Sequence, residues 1–365
     1  MSKPQVLFIG EPNRDLPEFH EFSAQFECIH YKITSKETLL EDLQGKLSKV
    51  VAIYGSWLGF HPVGGLTEDI VQALPDSLKL VTSCSVGLDG WGSEQLAKRG
   101  IKLYNCPSLG AEQVADLVLY HTLQSFRYFK VFEDNFRESG HTVKTRSLLQ
   151  SASLDKQTGK VVLNSTDSSD YAFGHRLGDS LPILTPFGKN AVVVGFGSIG
   201  SRIAKRLHAI GMNISYVKRT RLSSEQEAQL LFPVKYYASL KEAAPVADLV
   251  VLSLPGTSET ENLYNKEIID LVPHRSRVIN VGRGTIVNED DLLAGLRSGK
   301  LSFAGLDVYA KEPAVSRELI ERQDVILTPH IGSSTVENFN DTSIFCLRNI
   351  QDVILYGKEG LSRVN

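Results

Sequence analysis

The stretch AVVVGFGSIGSRIAKRLHAIGMNISYV, residues 191–217, constrains this chain more than any other. Four β-forming apolar residues lead into Gly195, Gly197 and Gly200. Ile199, Ile203, Leu207 and Ile210 then recur at helical spacing until Gly211, and a new strand begins at Asn213. Strand, tight glycine turn, helix and strand in this order belong to a doubly wound α/β unit. Gly195 permits the turn, Gly197 lets the backbone approach a pyrophosphate, and Gly200 lets helix and strand pack closely. Free amides and the dipole at the helix start favour an anion. Gly195, Gly197, Ser198, Ile199 and Gly200 are therefore the expected pyrophosphate residues of a dinucleotide site.

The strand NISYV should end in an acid if the ligand were NAD, because a carboxylate there binds the ribose 2′-hydroxyl. No acid occurs between Gly200 and Glu225. Lys218, Arg219, Thr220 and Arg221 stand there instead. An acid would repel a 2′-phosphate and this cluster would attract it, with Arg219 forking or stacking on it. The expected cofactor is NADP(H) by preference, with NAD(H) possible; the plainer reading is a solvated basic turn.

Short strands alternate with helices on both sides of this motif, which implies parallel sheets. VLFIG, VVAIYG (50–55), LKLVTSCS (78–85) and KLYNC (102–106) read as strands, with EDIVQALP and SEQLAKRG as helices between them. Beyond Ala191, DLVVLSL, RVINV, FAGLDV and VILTP continue the second set. A long apolar helix is expected from Ala111 to Lys130, running on to Ser139, and an amphipathic one from Glu337 to Gly357. The polar stretch 141–186, with DKQTGK between two β-prone pieces, is a hairpin excursion or a mobile loop, and the plainer reading is a disordered insertion. The expected fold class is α/β, two doubly wound parallel-sheet (Rossmann-like) domains with a cleft between them. Residues 1–107 and 337–365 would form one, discontinuous domain, and 108–336 the dinucleotide-binding domain.

A chain of 365 residues, 42% hydrophobic, has material for two such cores. A net charge of −3 and no long Lys/Arg run argue against a nucleic-acid partner. Cys28, Cys84, Cys106 and Cys346 lie far apart in sequence with no CxxC pair, so neither a zinc site nor a disulfide framework is expected. The only N-terminal apolar run, Val6 to Ile9, is too short for a signal peptide or membrane span. A soluble cytoplasmic protein is the expectation.

Three polar residues stand just past predicted strands: Arg283 after RVINVG, Glu312 after FAGLDVYAK, and His330 after VILTP. Ligands bind at the carboxyl ends of strands in open α/β sheets, so the three can converge on one crevice. Singly, each has a plainer reading: a turn residue, a surface acid before Pro313, a buried hydrogen-bonded histidine. Together they supply what reduction of a 2-keto acid needs. Arginine forks onto a carboxylate and keto oxygen, histidine exchanges a proton near neutral pH, and a carboxylate beside it fixes its tautomer and favours its charged form.

The run INVGRGTIVNEDDLLAGLRSGKLSFAGLDVYAKEP, with VILTPHIGSST beyond it, resembles the catalytic half of the D-isomer-specific 2-hydroxyacid dehydrogenases. Glu312 stands 29 residues past Arg283 and His330 18 past Glu312, similar to that family's Arg–Glu–His spacing. The SVGLD stretch (85–89) resembles the substrate loop of glyoxylate/hydroxypyruvate reductases, and the closing VILYGKEGLSRVN is similar to the family's end pattern. The resemblance implies His330 as acid/base, Glu312 as its orienting partner and Arg283 as substrate ligand. It implies that the Val86 and Gly87 amides hold the substrate carboxylate, and that Asp307 faces the nicotinamide carboxamide. Leu254, Pro255 and Val281 would line the cofactor, a small 2-keto or 2-hydroxy acid would be the substrate, and the enzyme would be a homodimer. The 141–186 stretch is longer than the family's connection, which puts the dimer geometry in doubt. Trp57 would either project toward the cleft or sit in the core. A dinucleotide-regulated corepressor of the same fold is the alternative from another class. A 3-phosphoglycerate dehydrogenase fits less well, given the basic 218–221 turn and no regulatory domain after the tail helix. Formate dehydrogenase is disfavoured by SVGLD.

Overall fold

The computed structural model describes residues 2–163, 172–178 and 181–365. The chain divides into two compact units, Met1–Gly110 with Ser334–Asn365, and Ala111–Ser333. The breaks fall three residues from those expected at 107/108 and 336/337.

The first unit is a five-stranded parallel sheet in the order β2-β1-β3-β4-β5. Its strands are β1 (Gln5–Ile9), β2 (Glu27–Tyr31), β3 (Val50–Gly55), β4 (Leu80–Ser83) and β5 (Lys102–Tyr104). Successive side chains of β1 enter opposite layers, as the two-residue period of a strand dictates. Leu7 and Ile9 pack with Leu39, Leu43, Ile70 and Leu96 from the helices on one face. Val6 and Phe8 pack with Phe22 on the other, where the tail helix Val336–Ile354 adds Cys346, Leu347 and Ile350. Full burial of such side chains is worth roughly 1.5–3 kcal/mol each. The tail helix thus completes the sheet that begins at the N-terminus. The sequence reading passed over β2 and the helices Pro17–Gln25 and Lys36–Gln44.

Three cysteines distant in sequence meet in this unit. Cys346 Sγ lies 3.6 Å from Cys84 Sγ and 3.7 Å from Cys106 Sγ, all as free thiols. Burial raises the Cys84 and Cys346 thiols well above their ordinary range, which keeps them inert packing groups.

The second unit carries two small hairpins and a seven-stranded parallel sheet. The hairpins are β6 (Ser153–Asp155) with β7 (Lys160–Val162), and β8 (Arg176–Leu177) with β9 (Leu181–Pro182). The sheet comprises β10 (Asn190–Val194), β11 (Asn213–Val217), β12 (Val234–Tyr237), β13 (Leu249–Leu252), β14 (Ser276–Asn280), β15 (Leu301–Leu306) and β16 (Val325–Leu327). Their order is β12-β11-β10-β13-β14-β15-β16. The order reverses at β10, and β10 leads into the glycine turn. Ala191 and Val193 face the helices Ala111–Arg127 and Ser198–Ala209, while Val192 and Val194 face the opposite layer. Among the described residues, no helix is long and apolar enough to cross a membrane.

Two expectations need correction here. The helix from Ala111 does not run to Ser139: it ends at Arg127, and Tyr128 turns the chain at φ 52° before a second helix, Phe129–Ser139. The cause is tertiary. Tyr128 is buried edge-on to Phe303, its hydroxyl donates to the Ser302 carbonyl at 2.8 Å, and Gln124 Oε1 accepts from Lys130 N. The 141–186 stretch begins with a helix, Thr142–Ser151, that the polar composition did not suggest.

The DKQTGK hairpin follows that helix and is docked. Arg322 donates to the Lys156 and Gln157 carbonyls at 3.0 and 3.1 Å while pairing with Asp324 at 2.8 Å, the two side chains 0% and 3% exposed. Gly159 accepts from Gln323 N at 2.9 Å. The hairpin is therefore tied to the segment that enters β16, the edge strand. Residues 164–171 and 179–180, on which the mobile-loop alternative partly rested, lie outside the described residues.

Candidate active site

The dinucleotide socket is built as the glycines require. A Cβ on Gly200 would come 2.0 Å from the Gly195 carbonyl, so only glycine lets the helix lie against the turn. Around Gly197 nothing stands within 4 Å. The helix Ser198–Ala209 starts without a side-chain cap and without an acid in its first turn. Uncapped amides beside an open backbone fit an anionic pyrophosphate. Ser198 Oγ accepts from Arg202 Nη1 at 3.1 Å, and Ile199 packs half-buried on the core. Leu254 and Val281, just beyond β13 and β14, are half-buried, and Pro255 is exposed.

Past β11 the basic cluster splits. Arg219 is 91% exposed and meets Glu259 at 3.4 Å. Arg221 is instead drawn back to Glu227 at 3.2 Å and over the Tyr236 ring at 5.8 Å. Thr220 is exposed and Lys218 half-buried. Arg219 is thus the cation presented at the strand end, whereas Arg221 ties the next helix down.

Arg283, Glu312 and His330 follow β14, β15 and β16, three neighbouring strands of one sheet. The Arg283 turn is clamped by Asn280. Its Nδ2 donates to the Arg283 carbonyl at 2.9 Å, and its Oδ1 accepts from Gly282 N at 3.1 Å. Gly284 lets this turn lie on Tyr309, since a Cβ there would sit 1.9 Å from the Tyr309 carbonyl carbon. Tyr309 N in turn donates to Glu312 Oε1 at 2.9 Å, and Glu312 Oε2 receives His330 Nδ1 at 2.9 Å.

A carboxylate only accepts, so Nδ1 carries the proton in this bond and Nε2 is the ring's other site for proton exchange. Partial burial would raise the Glu312 carboxyl. The bonds from His330 and Tyr309 N, with the His330 and Arg283 charges, outweigh it and hold the group below its usual range. His330 and Glu312 are 32% and 35% exposed, which disposes of the buried-histidine reading.

His330 adopts φ 56°, a left-handed conformation that costs a non-glycine residue roughly 1–2 kcal/mol. Its neighbours hold it there. His330 N donates to the Thr328 carbonyl at 2.9 Å, and the amides of Ile331 and Gly332 donate to Asp307 Oδ1 and Oδ2 at 2.9 and 2.8 Å. Thr328 Oγ1 also donates to Asp307 Oδ1, at 2.7 Å. Asp307, expected to face a carboxamide, is buried and accepts from three internal donors. Burial raises its carboxyl against the pull of these bonds.

In the first unit the SVGLD loop leaves β4. Asn105 Nδ2 donates to the Val86 carbonyl at 2.8 Å and Ser85 Oγ to the Gly87 carbonyl at 2.7 Å. Both carbonyls are so engaged, while the Val86 and Gly87 amides have no acceptor among the described residues. Unspent amides of this kind suit an anion. Trp57 is 50% exposed, so its core reading is set aside. Asn105, Asn280 and Thr328 were missed in the sequence. The shared signal is a polar residue closing an apolar strand.

A glycine-turn dinucleotide socket beside an Arg–Glu–His group on adjacent strands is the apparatus of a nicotinamide-dependent oxidoreductase. The family described as D-isomer specific 2-hydroxyacid dehydrogenase, NAD binding domain, matches residues 167–332. A Saccharomyces cerevisiae protein that bears the name "Putative 2-hydroxyacid dehydrogenase" is 31% identical over 378 residues, covering 96% of this chain and 94% of its own. Rhodotorula graminis D-mandelate dehydrogenase in its holo form superimposes with a TM-score of 0.85 at 28% identity, over 100% of this chain and 98% of that one. An NADPH-dependent glyoxylate/hydroxypyruvate reductase from Sinorhizobium meliloti, in complex with NADP and malonate, gives 0.76 at 25% identity, over 100% and 97%. The chain belongs to the D-isomer-specific 2-hydroxyacid dehydrogenases. It is an oxidoreductase of that family, acting on 2-keto or 2-hydroxy acids with NAD(P).

Proposed function

We propose that the protein is an NADPH-dependent reductase of small 2-keto acids to D-2-hydroxy acids, with glyoxylate and hydroxypyruvate as leading substrates. The observation that carries this reading is the 2.9 Å bond from His330 Nδ1 to a carboxylate that stays ionised. It makes His330 a proton donor through Nε2 and stabilises the imidazolium before the proton leaves. Arg283 forks onto the substrate carboxylate and keto oxygen, polarising the carbonyl. In the first unit, the Val86 and Gly87 amides are proposed donors to an anion. Gly195, Gly197, Ser198, Ile199 and Gly200 hold the pyrophosphate; Leu254, Pro255 and Val281 line the nicotinamide side. When bound, the reduced nicotinamide supplies the hydride.

The NADP preference rests on Arg219. The Arg219→Ala substitution removes one charge-assisted fork, roughly 1.5–3 kcal/mol, so NADPH should bind about ten- to a hundredfold more weakly. NADH should lose less than about twofold. Fluorescence titration of both cofactors reads this, and an equal loss for both refutes the role.

Initial rates with glyoxylate, hydroxypyruvate and phenylglyoxylate, each with NADPH and NADH in parallel, test the whole reading. Turnover of the two small acids favouring NADPH supports it. Preference for phenylglyoxylate supports a second reading, an aromatic keto acid, which is favoured by the chain-long likeness to the mandelate enzyme. We also propose a homodimer, since Tyr120, Phe129 and Phe136 are large exposed apolar side chains on consecutive helices. Sedimentation of Phe129→Ser/Phe136→Ser as a monomer is the expected result, and an unchanged dimer removes that face from consideration.

A further inference from the structure

The helix Ala111–Arg127 buries a histidine that the chemistry above does not use. His121 is completely enclosed, and its Nδ1 has no hydrogen-bond partner among the described residues. An apolar side chain would fit such a position at lower cost. The strand beside it makes room for the ring: a Cβ on Gly305 would stand 2.9 Å from His121 Nδ1. Two positions are thus committed to an imidazole here. Burial pushes its protonation down to about 4, so the ring is neutral at physiological pH.

Among the described residues, the polar group that the His121 ring reaches is Thr328 Oγ1, 3.4 Å from Nε2. The Thr328 hydroxyl proton is already committed, because the Asp307 carboxylate 2.7 Å away can only accept. The Thr328 oxygen must therefore accept from His121, which places the imidazole proton on Nε2 and explains the bare Nδ1. Donors then run in one direction: His121 Nε2–H to Thr328 Oγ1, and Thr328 O–H to Asp307 Oδ1. Asp307 also takes the amides of the two residues that follow His330. Thr328 and Ile331 flank the strained φ of His330 from either side.

We propose that His121 is a positioning residue for His330: its Nε2–H fixes the Thr328 hydroxyl on Asp307, and Asp307 so fixed holds the Ile331–Gly332 amides that keep His330 in its left-handed conformation. This rests on the reading of His330 as the acid/base. His121 touches no reacting atom and acts only through the turn. Donors oriented in sequence along such a chain reinforce one another, so removing the first loosens the rest.

The experiment is a double-mutant cycle on the full chain, with His121→Phe, Thr328→Val and the double variant, beside His121→Gln, which returns an N–H donor. The expected kcat for keto-acid reduction falls about tenfold in His121→Phe, with substrate KM and NADPH Kd within about twofold. His121→Gln recovers most of the loss, and the double variant is no slower than Thr328→Val because both act on one link. Hydrogen exchange of the 328–333 peptide, which needs no turnover, should quicken in His121→Phe and return in His121→Gln.

Wild-type kcat in His121→Phe, losses that multiply in the double variant, or a change confined to KM or Kd would each overturn the proposal. Thr328→Val keeps the shape of threonine, so wild-type kcat in that variant defeats the proposal even if His121→Phe does not fold. A wild-type enzyme without turnover of any keto acid would instead sink the acid/base reading, and the exchange data would then report on the turn alone.

Discussion

Replacing His330 with alanine is expected to lower kcat for keto-acid reduction by about a hundred- to ten-thousand-fold, the range that a positioned proton donor contributes. NADPH affinity should stay near wild type, because no cofactor phosphate is assigned to this residue. The pH profile carries the sharper version. Glu312 is held below its usual range, so its carboxylate is ionised from that lowered value upward. As pH falls through that value, the acceptor for His330 Nδ1–H is lost and the rate of reduction declines. Glu312→Gln removes the titrating acceptor, so the acid limb should disappear. An acid limb that persists in Glu312→Gln would show that another group sets it.

The strands that sequence reading found are those whose side chains are buried on both faces. VVAIYG and NISYV were bounded correctly because nearly every residue in them enters a core, which forces an unbroken β-branched or aromatic run. Of the two parallel sheets, the strands it missed are β2 and β12, outermost strands where ECIHY and VKYY are half-exposed and carry polar residues, whereas β5 and β16, also outermost, are mostly buried and were found. An edge strand is specified by the neighbour that it pairs with, and that neighbour is not visible in its own composition. The break at Tyr128 was invisible for a related reason. Neither glycine nor proline marks it, and a buried ring with its hydroxyl on the Ser302 carbonyl decides the turn.

The site divides along the same line. Arg283, Glu312 and His330 were legible because each stands at a strand end, and strand ends converge by topology alone. Their supports were not. Asn280, Thr328 and His121 act through hydrogen bonds whose partners only the fold identifies, and His121 is separated from Thr328 by 207 positions. Asp307 was assigned to the carboxamide by resemblance alone, and its further place over the 328–332 turn, where it accepts from three donors, is visible only in the fold. The three cysteines show the limit of spacing arguments. No short motif joins them, and their sulfurs are nevertheless in contact.

Arg283→Ala should be the second large loss, and its form should differ from that of His330→Ala. The guanidinium is proposed to make two charge-assisted bonds to substrate, each worth roughly 1.5–3 kcal/mol, so kcat/KM should fall by about two to four orders of magnitude. Part of that loss must appear in KM, because the carboxylate is bound before hydride transfer as well as during it. Arg283→Lys keeps the charge and loses the planar fork, so it should recover only a fraction. The turn itself should survive, since Asn280 clamps the Arg283 backbone and not its side chain. An aldehyde lacking the carboxylate supplies the control. Wild type should reduce it poorly, and Arg283→Ala should lose much less rate on it than on the keto acid. If both substrates lose rate equally, Arg283 acts on the carbonyl alone and does not hold the carboxylate. If instead NADPH affinity falls while kcat/KM at saturating cofactor is unchanged, Arg283 is a cofactor ligand and its substrate role is wrong.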